Sequence, residues 1–330
     1  VLIASISKAQ VEPIRGMTFA HLHRGSVGYG SDAARGQLDE LAKLGANWIT
    51  VTDFVYMPDV NQPDLRWGGD RSLTSEGLSR TIRDAKARGL NVLMKPHVWS
   101  NQFWNGDEWH GTIAMTSEAD WQRFFQRYGD FLVEQATLAQ AAGADAFSVG
   151  VEMKMTSGRD EDWRQVVARV RKVFSGAITY SANSDEYADV TWWDAVDCIG
   201  ITAYFPLVTG GVPTEAAVRE AWRSIINDLD AYSAKVGRPI CLTELGFSRS
   251  SRAAQAPWEH HEVDPDPGLQ AMLYRVALEE LAKSDAVVGV FLWKWFTADA
   301  EVAARMERSD VFGLQNRPLA LQEIRKLWQE

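Results

Sequence analysis

Cysteine is almost missing: Cys198 and Cys241 are the two in 330 residues. Two thiols cannot build a disulfide framework or a cysteine-rich zinc site. Both fall in apolar, strand-like runs and read as buried free thiols, which leaves the redox compartment open. No run of 18 apolar residues occurs, so no membrane-spanning helix is expected. Positive charge is in deficit, 34 Lys and Arg against 44 Asp and Glu, for a net charge of −10. Such a field repels polyanions, which argues against nucleic acid and anionic membrane surfaces as partners and favours a neutral ligand. Pro-, Gly- or Ser-rich linkers and low-complexity tracts are also missing, so a single domain over 15–330 is expected. Residues 1–14 form an apolar stub without Met that reads as the tail of a trimmed export signal, hence a secreted or periplasmic protein. A chosen start point would look the same, and a cytoplasmic location stays open.

What the chain does have is apolar bulk, 46% of residues, and an excess of tryptophan, 14 in all. Disorder, collagen-like and coiled-coil architectures do not have this composition. Eight apolar runs of strand length recur at 16–23, 48–54, 91–99, 146–153, 177–183, 198–205, 239–247 and 287–296. Most are continuously apolar, as parallel strands covered on both faces must be. Helical patterns alternate with them. Residues 32–44 stop before Gly45; 74–88 start at the N-cap Thr74 and close at Gly89; 118–142 run from the cap Ser117 to Gly143. Further helices are expected at 214–236, 268–283 and 319–329, whereas 184–195 offers only a short one. A doubly wound sheet would need a glycine-rich loop after an early strand, and the first strand runs instead into His21-Leu-His-Arg-Gly. The expected fold is therefore an α/β (β/α)8 TIM barrel.

Such barrels build their sites at the C-terminal strand ends. There the sequence places His21, His23 and Arg24, then Asp53, Lys95 and His97, Glu152, Asn183, Tyr204, Glu244, and Trp293, Lys294 and Trp295. Two carboxylates stand out because their neighbours are apolar: Val149-Gly-Val-Glu152-Met and Ile240-Cys-Leu-Thr-Glu244-Leu-Gly. A buried ionised carboxylate is costly unless it serves function or pairs with a Lys or Arg of a neighbouring strand, which is the competing reading of each. The fourth and seventh strands of an eight-stranded barrel face each other across the mouth. Two carboxyls roughly 5 to 5.5 Å apart are what a retaining glycosidase needs.

The strings around these ends resemble glycoside hydrolase family 113, the β-mannanase family of clan A. They are Met94-Lys-Pro-His-Val-Trp99, Gly150-Val-Glu152, Ile178-Thr-Tyr-Ser-Ala-Asn183, Trp193-Asp-Ala-Val-Asp-Cys-Ile-Gly-Ile-Thr-Ala-Tyr-Phe-Pro206, Thr243-Glu-Leu-Gly246 and Gly289-Val-Phe-Leu-Trp-Lys-Trp295. The resemblance implies a retaining enzyme without metal or cofactor, most simply an endo-β-1,4-mannanase. It implies Glu152 as acid/base and Glu244 as nucleophile, with the Tyr204 hydroxyl holding Glu244 anionic. Val151 is a departure, because many clan members carry there an Asn that bonds the sugar 2-hydroxyl. Asn183 or His97 would have to supply that contact.

The tryptophans divide by position. Trp67, Trp99, Trp104, Trp109, Trp258, Trp293 and Trp295 fall in the expected loops or at the mouth, where aromatic planes suit the apolar faces of sugar rings. Trp48, Trp121, Trp163, Trp222 and Trp328 read as core, and Trp192 and Trp193 as structural residues on the opposite face. The substrate contacts expected are thus His21, His23, Lys95, His97, Trp99, Asn183, Trp258, Trp293 and Trp295. Three rivals remain. One is a glucan-active or exo-acting relative, to be decided by loops 99–110 and 249–266. Another is a sugar-binding barrel without turnover. The most remote is a metal-dependent amidohydrolase, prompted by the His21-Leu-His23 spacing but lacking the other His and Asp ligands.

Overall fold

The computed structural model describes residues 12–23, 26–69, 73–103, 107–306 and 311–329. Trp104, Arg24 and most of the N-terminal stub lie outside them. Eight parallel strands close into a barrel. They are β1 (Ile14–Ala20), β2 (Trp48–Val51), β4 (Asn91–Met94), β6 (Ala146–Val151), β7 (Ala177–Asn183), β8 (Cys198–Thr202), β9 (Ile240–Leu245) and β10 (Val287–Phe296). Glu152 follows β6, the fourth barrel strand, and Glu244 lies in β9, the seventh.

Two expected strands are divided. Beyond β2 and β4 the chain forms a second parallel pair, β3 (Phe54–Tyr56) with β5 (His97–Trp99), in register Phe54 to His97. Pro96 has no N–H to donate and marks the break between β4 and β5. The pair carries His97 and Trp99 past the barrel rim.

Six of the seven connections and the segment after β10 hold helices: α1 (Asp32–Leu44), α2 (Ser75–Lys86), α3 (Glu118–Ala142), α4 (Asp160–Arg171), α5 (Glu215–Val236) and α6 (Pro267–Leu281), then α7 (Ala300–Met306) and α8 (Pro318–Gln329). Most starts follow capping chemistry. The hydroxyls of Ser31, Thr74, Ser117 and Thr214 each accept a first-turn N–H, of Ala34, Gly77, Asp120 and Ala217. α1 and α3 stop where Gly45 and Gly143 turn left-handed, with φ of 103° and 91°. α2 ends at Lys86, short of the expected stop at Gly89, and α4 was not among the expected helices. α4 is flanked by Arg159, which makes no side-chain cap, and by Lys172 in place of a left-handed glycine, so both usual signals are missing.

The β7–β8 connection has no α-helix, only a 3-10 turn at Trp193–Ala195. Trp192 and Trp193 fill the space a helix would take: both are buried, and Trp192 stacks on Trp163 of α4 at 5.0 Å and 14°. Their structural role is as expected, but their place is not the opposite face. The Trp192 indole donates to the Ser157 carbonyl, five residues beyond Glu152. Cys198 and Cys241 are free and buried, as read from the sequence. Among the described residues no helix is long and apolar enough to cross a membrane.

Candidate active site

Glu244 is 5% exposed at the end of β9, and both of its oxygens are gripped. Lys95, fully enclosed after β4, donates from Nζ to Oε1 at 2.5 Å, and the Tyr204 hydroxyl donates to Oε2 at 2.9 Å. The Lys95 ammonium also reaches the Thr243 carbonyl at 3.3 Å. A buried cation and a phenol thus hold the two oxygens of one carboxyl in place. Burial, then the charges of Glu244 and Glu152, push the Tyr204 phenol far up, so it stays a donor.

Glu152 has the opposite setting. Its carboxyl is partly buried, faces the charge of Glu244, and takes a hydrogen bond from Thr202 at the end of β8. Burial first, and then repulsion by Glu244, raise its pKa to about 8. At neutral pH it holds a proton. Its backbone is unusual: φ is 53°, in the left-handed region that non-glycine residues seldom adopt. A carboxyl gripped by a cation and a phenol, and a second one kept protonated beside it, could together supply a nucleophile and a proton donor.

The sequence profile described as Glycoside Hydrolase Family 113 matches residues 17–315. The chain belongs to glycoside hydrolase family 113. Its fold is similar to that of a solved GH113 β-mannanase from Alicyclobacillus acidocaldarius in complex with ManMIm. The two are 26% identical with a TM-score of 0.83, covering 97% of this chain and 98% of that one. A solved GH113 β-1,4-mannanase in complex form, 24% identical, gives a TM-score of 0.83 over 97% of this chain and 100% of that one. A β-D-glucuronidase of Dictyoglomus thermophilum shares the barrel alone, with 18% identity and a TM-score of 0.66 over 96% of this chain and 50% of that one. No curated protein matches significantly. As a family 113 member the chain is a retaining glycoside hydrolase with a (β/α)8 barrel.

The other expected contacts of this family 113 barrel separate into rim and wall. Trp293, partly exposed, stacks with His97 at 6.3 Å and 14° and has the Lys95 and Lys294 ammonium groups 5.5 and 4.8 Å from its ring centroid. Rings run on from His97 to Phe54 at 6.0 Å and from Phe54 to His23 at 5.7 Å, joining four strand ends in one aromatic wall. His97 is buried and held neutral, its pKa driven well down by burial and by Lys95, His110 and Lys294. Its Nε2 is enclosed with no hydrogen-bond partner among the described residues. His23 is exposed, while the buried His21 accepts the Tyr29 N–H at Nδ1, 2.9 Å, and so ties down the β1–α1 loop. Trp99 and Asn183 are partly exposed, and Trp258 is 51% exposed on the loop after β9.

Two expectations are corrected. Lys95 is no substrate contact, because it is enclosed and spent on Glu244. Trp295 does not face the mouth: it is 7% exposed and its indole donates to Gln37 of α1 at 2.9 Å, in the layer between barrel and helix. Trp67 likewise anchors its loop, donating to Glu134 of α3 with Arg127 over its ring. His21 and His23 meet edge to face, and no group of three His, Cys, Asp or Glu fit for a metal occurs among the described residues.

Several residues here escaped the sequence reading. Thr202 could have been found as the polar residue closing the apolar run of β8. Phe312, buried, sits edge-on to Tyr204 at 6.3 Å and to His260 at 5.3 Å, which draws the 249–266 loop toward the site. It lies outside every βα unit and had no signal. Glu186, buried beneath the Glu152 turn, looks in sequence like part of a solvated loop.

Proposed function

We propose that this chain is an endo-acting β-1,4-mannanase with Glu152 as acid/base and Glu244 as nucleophile. The observation that carries the mechanism is the asymmetry of the two carboxyls, one bound by Lys95 and Tyr204 and one raised to about 8 by burial and Glu244. The substrate follows from the likeness to the GH113 β-mannanase of 26% identity. Trp258 on the loop after β9 and Trp99 at the end of β5 supply aromatic planes beyond the cleaved bond, as an enzyme acting within a chain requires.

The Glu244 carboxylate attacks the anomeric carbon while the Glu152 proton passes to the leaving oxygen, so the glycosidic bond breaks and a glycosyl ester forms. Glu152, now anionic, takes a proton from water. The hydroxide equivalent attacks the same carbon, the ester breaks, and Glu244 returns as carboxylate with the configuration retained. Lys95 and Tyr204 stabilise Glu244 as it departs. Trp293 is the platform under the cleaved sugar.

A panel of β-mannan, β-glucan, xylan and short oligosaccharides, with product lengths measured, tests this reading together with Glu244→Ala. Oligosaccharide products from mannan alone, and loss of about 10⁴-fold or more in kcat for the variant, are expected. Release of monosaccharide only would overturn endo action, inactivity on mannosides would remove the substrate, and unchanged sugar release by Glu244→Ala would sink the catalytic assignment.

A further inference from the structure

Glu186 is fully enclosed in the short β7–β8 connection, outside the carboxyl pair. Three donors converge on it. The Ser157 hydroxyl and the Tyr180 hydroxyl, at 2.6 Å for the latter, donate to Oε1, and the Asn183 N–H donates to Oε2 at 2.9 Å. No acceptor faces it in that set, which suits a carboxylate; burial pushes its pKa up, and these three hydrogen bonds oppose that rise.

The Tyr180 hydroxyl has a second bond. It accepts the N–H of Met153 at 2.9 Å, the peptide immediately after Glu152. On the other side, the Glu152 N–H donates to the Ser181 carbonyl of β7 at 2.8 Å. The left-handed Glu152 is thus fixed through both flanking amides by consecutive residues of one strand. Such a backbone persists only where its surroundings over-determine it. Beyond Met153 the turn is held by its own bonds, Thr156 N–H and hydroxyl to the Met153 carbonyl at 2.8 and 2.7 Å, and by the indoles of Trp163 and Trp192 on the carbonyls of Thr156 and Ser157. Glu186 closes this cage at Ser157 and opens it, through Tyr180, to the acid/base.

We propose that Glu186, acting through Tyr180, is a positioning residue that holds the Glu152 carboxyl in its proton-donating geometry. This rests on the acid/base assignment of Glu152. Glu186 also acts through space. The groups that face Glu152 are Glu244 from β9, Lys95 from the end of β4, Thr202 and Tyr204 from β8 and its end, and Glu186 from below. Those that face Glu186 are Tyr180, Ser157, the Asn183 N–H and the neighbouring Asp185, itself paired with Lys154 at 2.7 Å. The Glu186 charge adds to the elevation of the Glu152 pKa.

The test is kcat/KM for Glu186→Gln and Tyr180→Phe on two β-mannobiosides, one with a dinitrophenyl leaving group that departs without a proton and one with an alkyl leaving group that needs it. Expected is a fall of about 10- to 100-fold on the alkyl glycoside and less than about 3-fold on the dinitrophenyl one. Glu186→Gln also moves the alkaline limb of the pH profile to lower pH, because an anion near Glu152 is gone. Tyr180→Phe keeps that anion and gives the activity loss without that move. Equal losses on both glycosides, or no loss on either, overturn the proposal. If Glu186→Gln fails to fold, Tyr180→Phe breaks the same bridge from its other end and decides alone. A Glu152→Ala enzyme without leaving-group dependence would remove the acid/base assignment itself, and the relay with it.

Discussion

At the scale of single residues, the site assigns opposite tasks to two glutamates by what surrounds them. Glu244 meets a cation and a phenol, whereas Glu152 meets another carboxylate and little water. Two consequences for pH follow. Activity depending on protonated Glu152 declines as pH rises through about 8, seen as the alkaline limb of kcat/KM against pH. Stability has the same origin. An unfolded Glu titrates near 4.3, so between about 4 and 8 the folded chain holds a proton that the unfolded chain has lost. That contribution is fully present below the unfolded value and is lost as pH rises through the folded one. Glu152→Gln escapes the penalty, and its unfolding free energy, read from urea titrations, should exceed that of the parent increasingly from pH 5 to pH 8, by about 1–3 kcal/mol at the upper end. A gap that does not grow with pH would contradict it. Glu152 and Glu244 were legible because each interrupts an apolar run. Lys95 also interrupts one, and it makes with Glu244 the ion pair that was the competing reading of that residue. Glu186, between Asp185 and Tyr187 in a polar stretch, had no such contrast, and its burial comes with the tertiary contacts it makes to Tyr180 and Ser157.

At the scale of elements, strand order and most helix limits were legible from caps and stops, because those signals act locally. The misses occurred where tertiary packing replaces local signals: uncapped α4, the helix-free β7–β8 connection, and the strands interrupted near Pro96. Ion pairs between helices belong to the same class. Glu280 of α6 is 2% exposed and receives Arg219 of α5 at 2.5 Å, Arg223 at 3.2 Å and Lys283 at 2.7 Å. Burial pushes its pKa up, but hydrogen bonds from Lys283, Arg219 and Arg223 outweigh it and hold the value at about 2. A depressed folded value contributes stability above the unfolded pKa, and that stability is lost as pH falls through the folded one, here from about 5 down to 2. Glu280→Gln should therefore destabilise by about 1–3 kcal/mol at pH 7, since it leaves Arg219 short of an anion. The difference from the parent should shrink toward pH 3 in urea titrations. A deficit independent of pH would point to packing instead.

At the scale of the whole molecule, the barrel closes where its ends meet. β1 pairs with β10 from Ile14 opposite Gly289 to Ala20 opposite Phe296, with a register shift between Met17 and Phe19, joining the first barrel strand to the last. No local pattern encodes that contact, and it forms only when nearly the full chain is in place. The seam also bears on catalysis, because β10 carries Trp293 to the mouth. Its fit depends on Gly289, where an added Cβ would stand 2.2 Å from the Ile14 Cβ and 2.6 Å from that residue's backbone N and Cα. β1 cannot yield there without shifting the register, so Gly289→Ala should cost about 1–3 kcal/mol and lower kcat as Trp293 moves with its strand. Gly36 provides the comparison. It lies within α1, where an added Cβ meets nothing within 4 Å, so Gly36→Ala should raise stability by about 0.4–1 kcal/mol and leave kcat unchanged. Urea midpoints and kcat for both variants decide between a seam that governs the site and a barrel that tolerates change anywhere. Opposite shifts, with kcat lost only at Gly289, identify closure as the condition for activity; equal shifts of one sign would refute it.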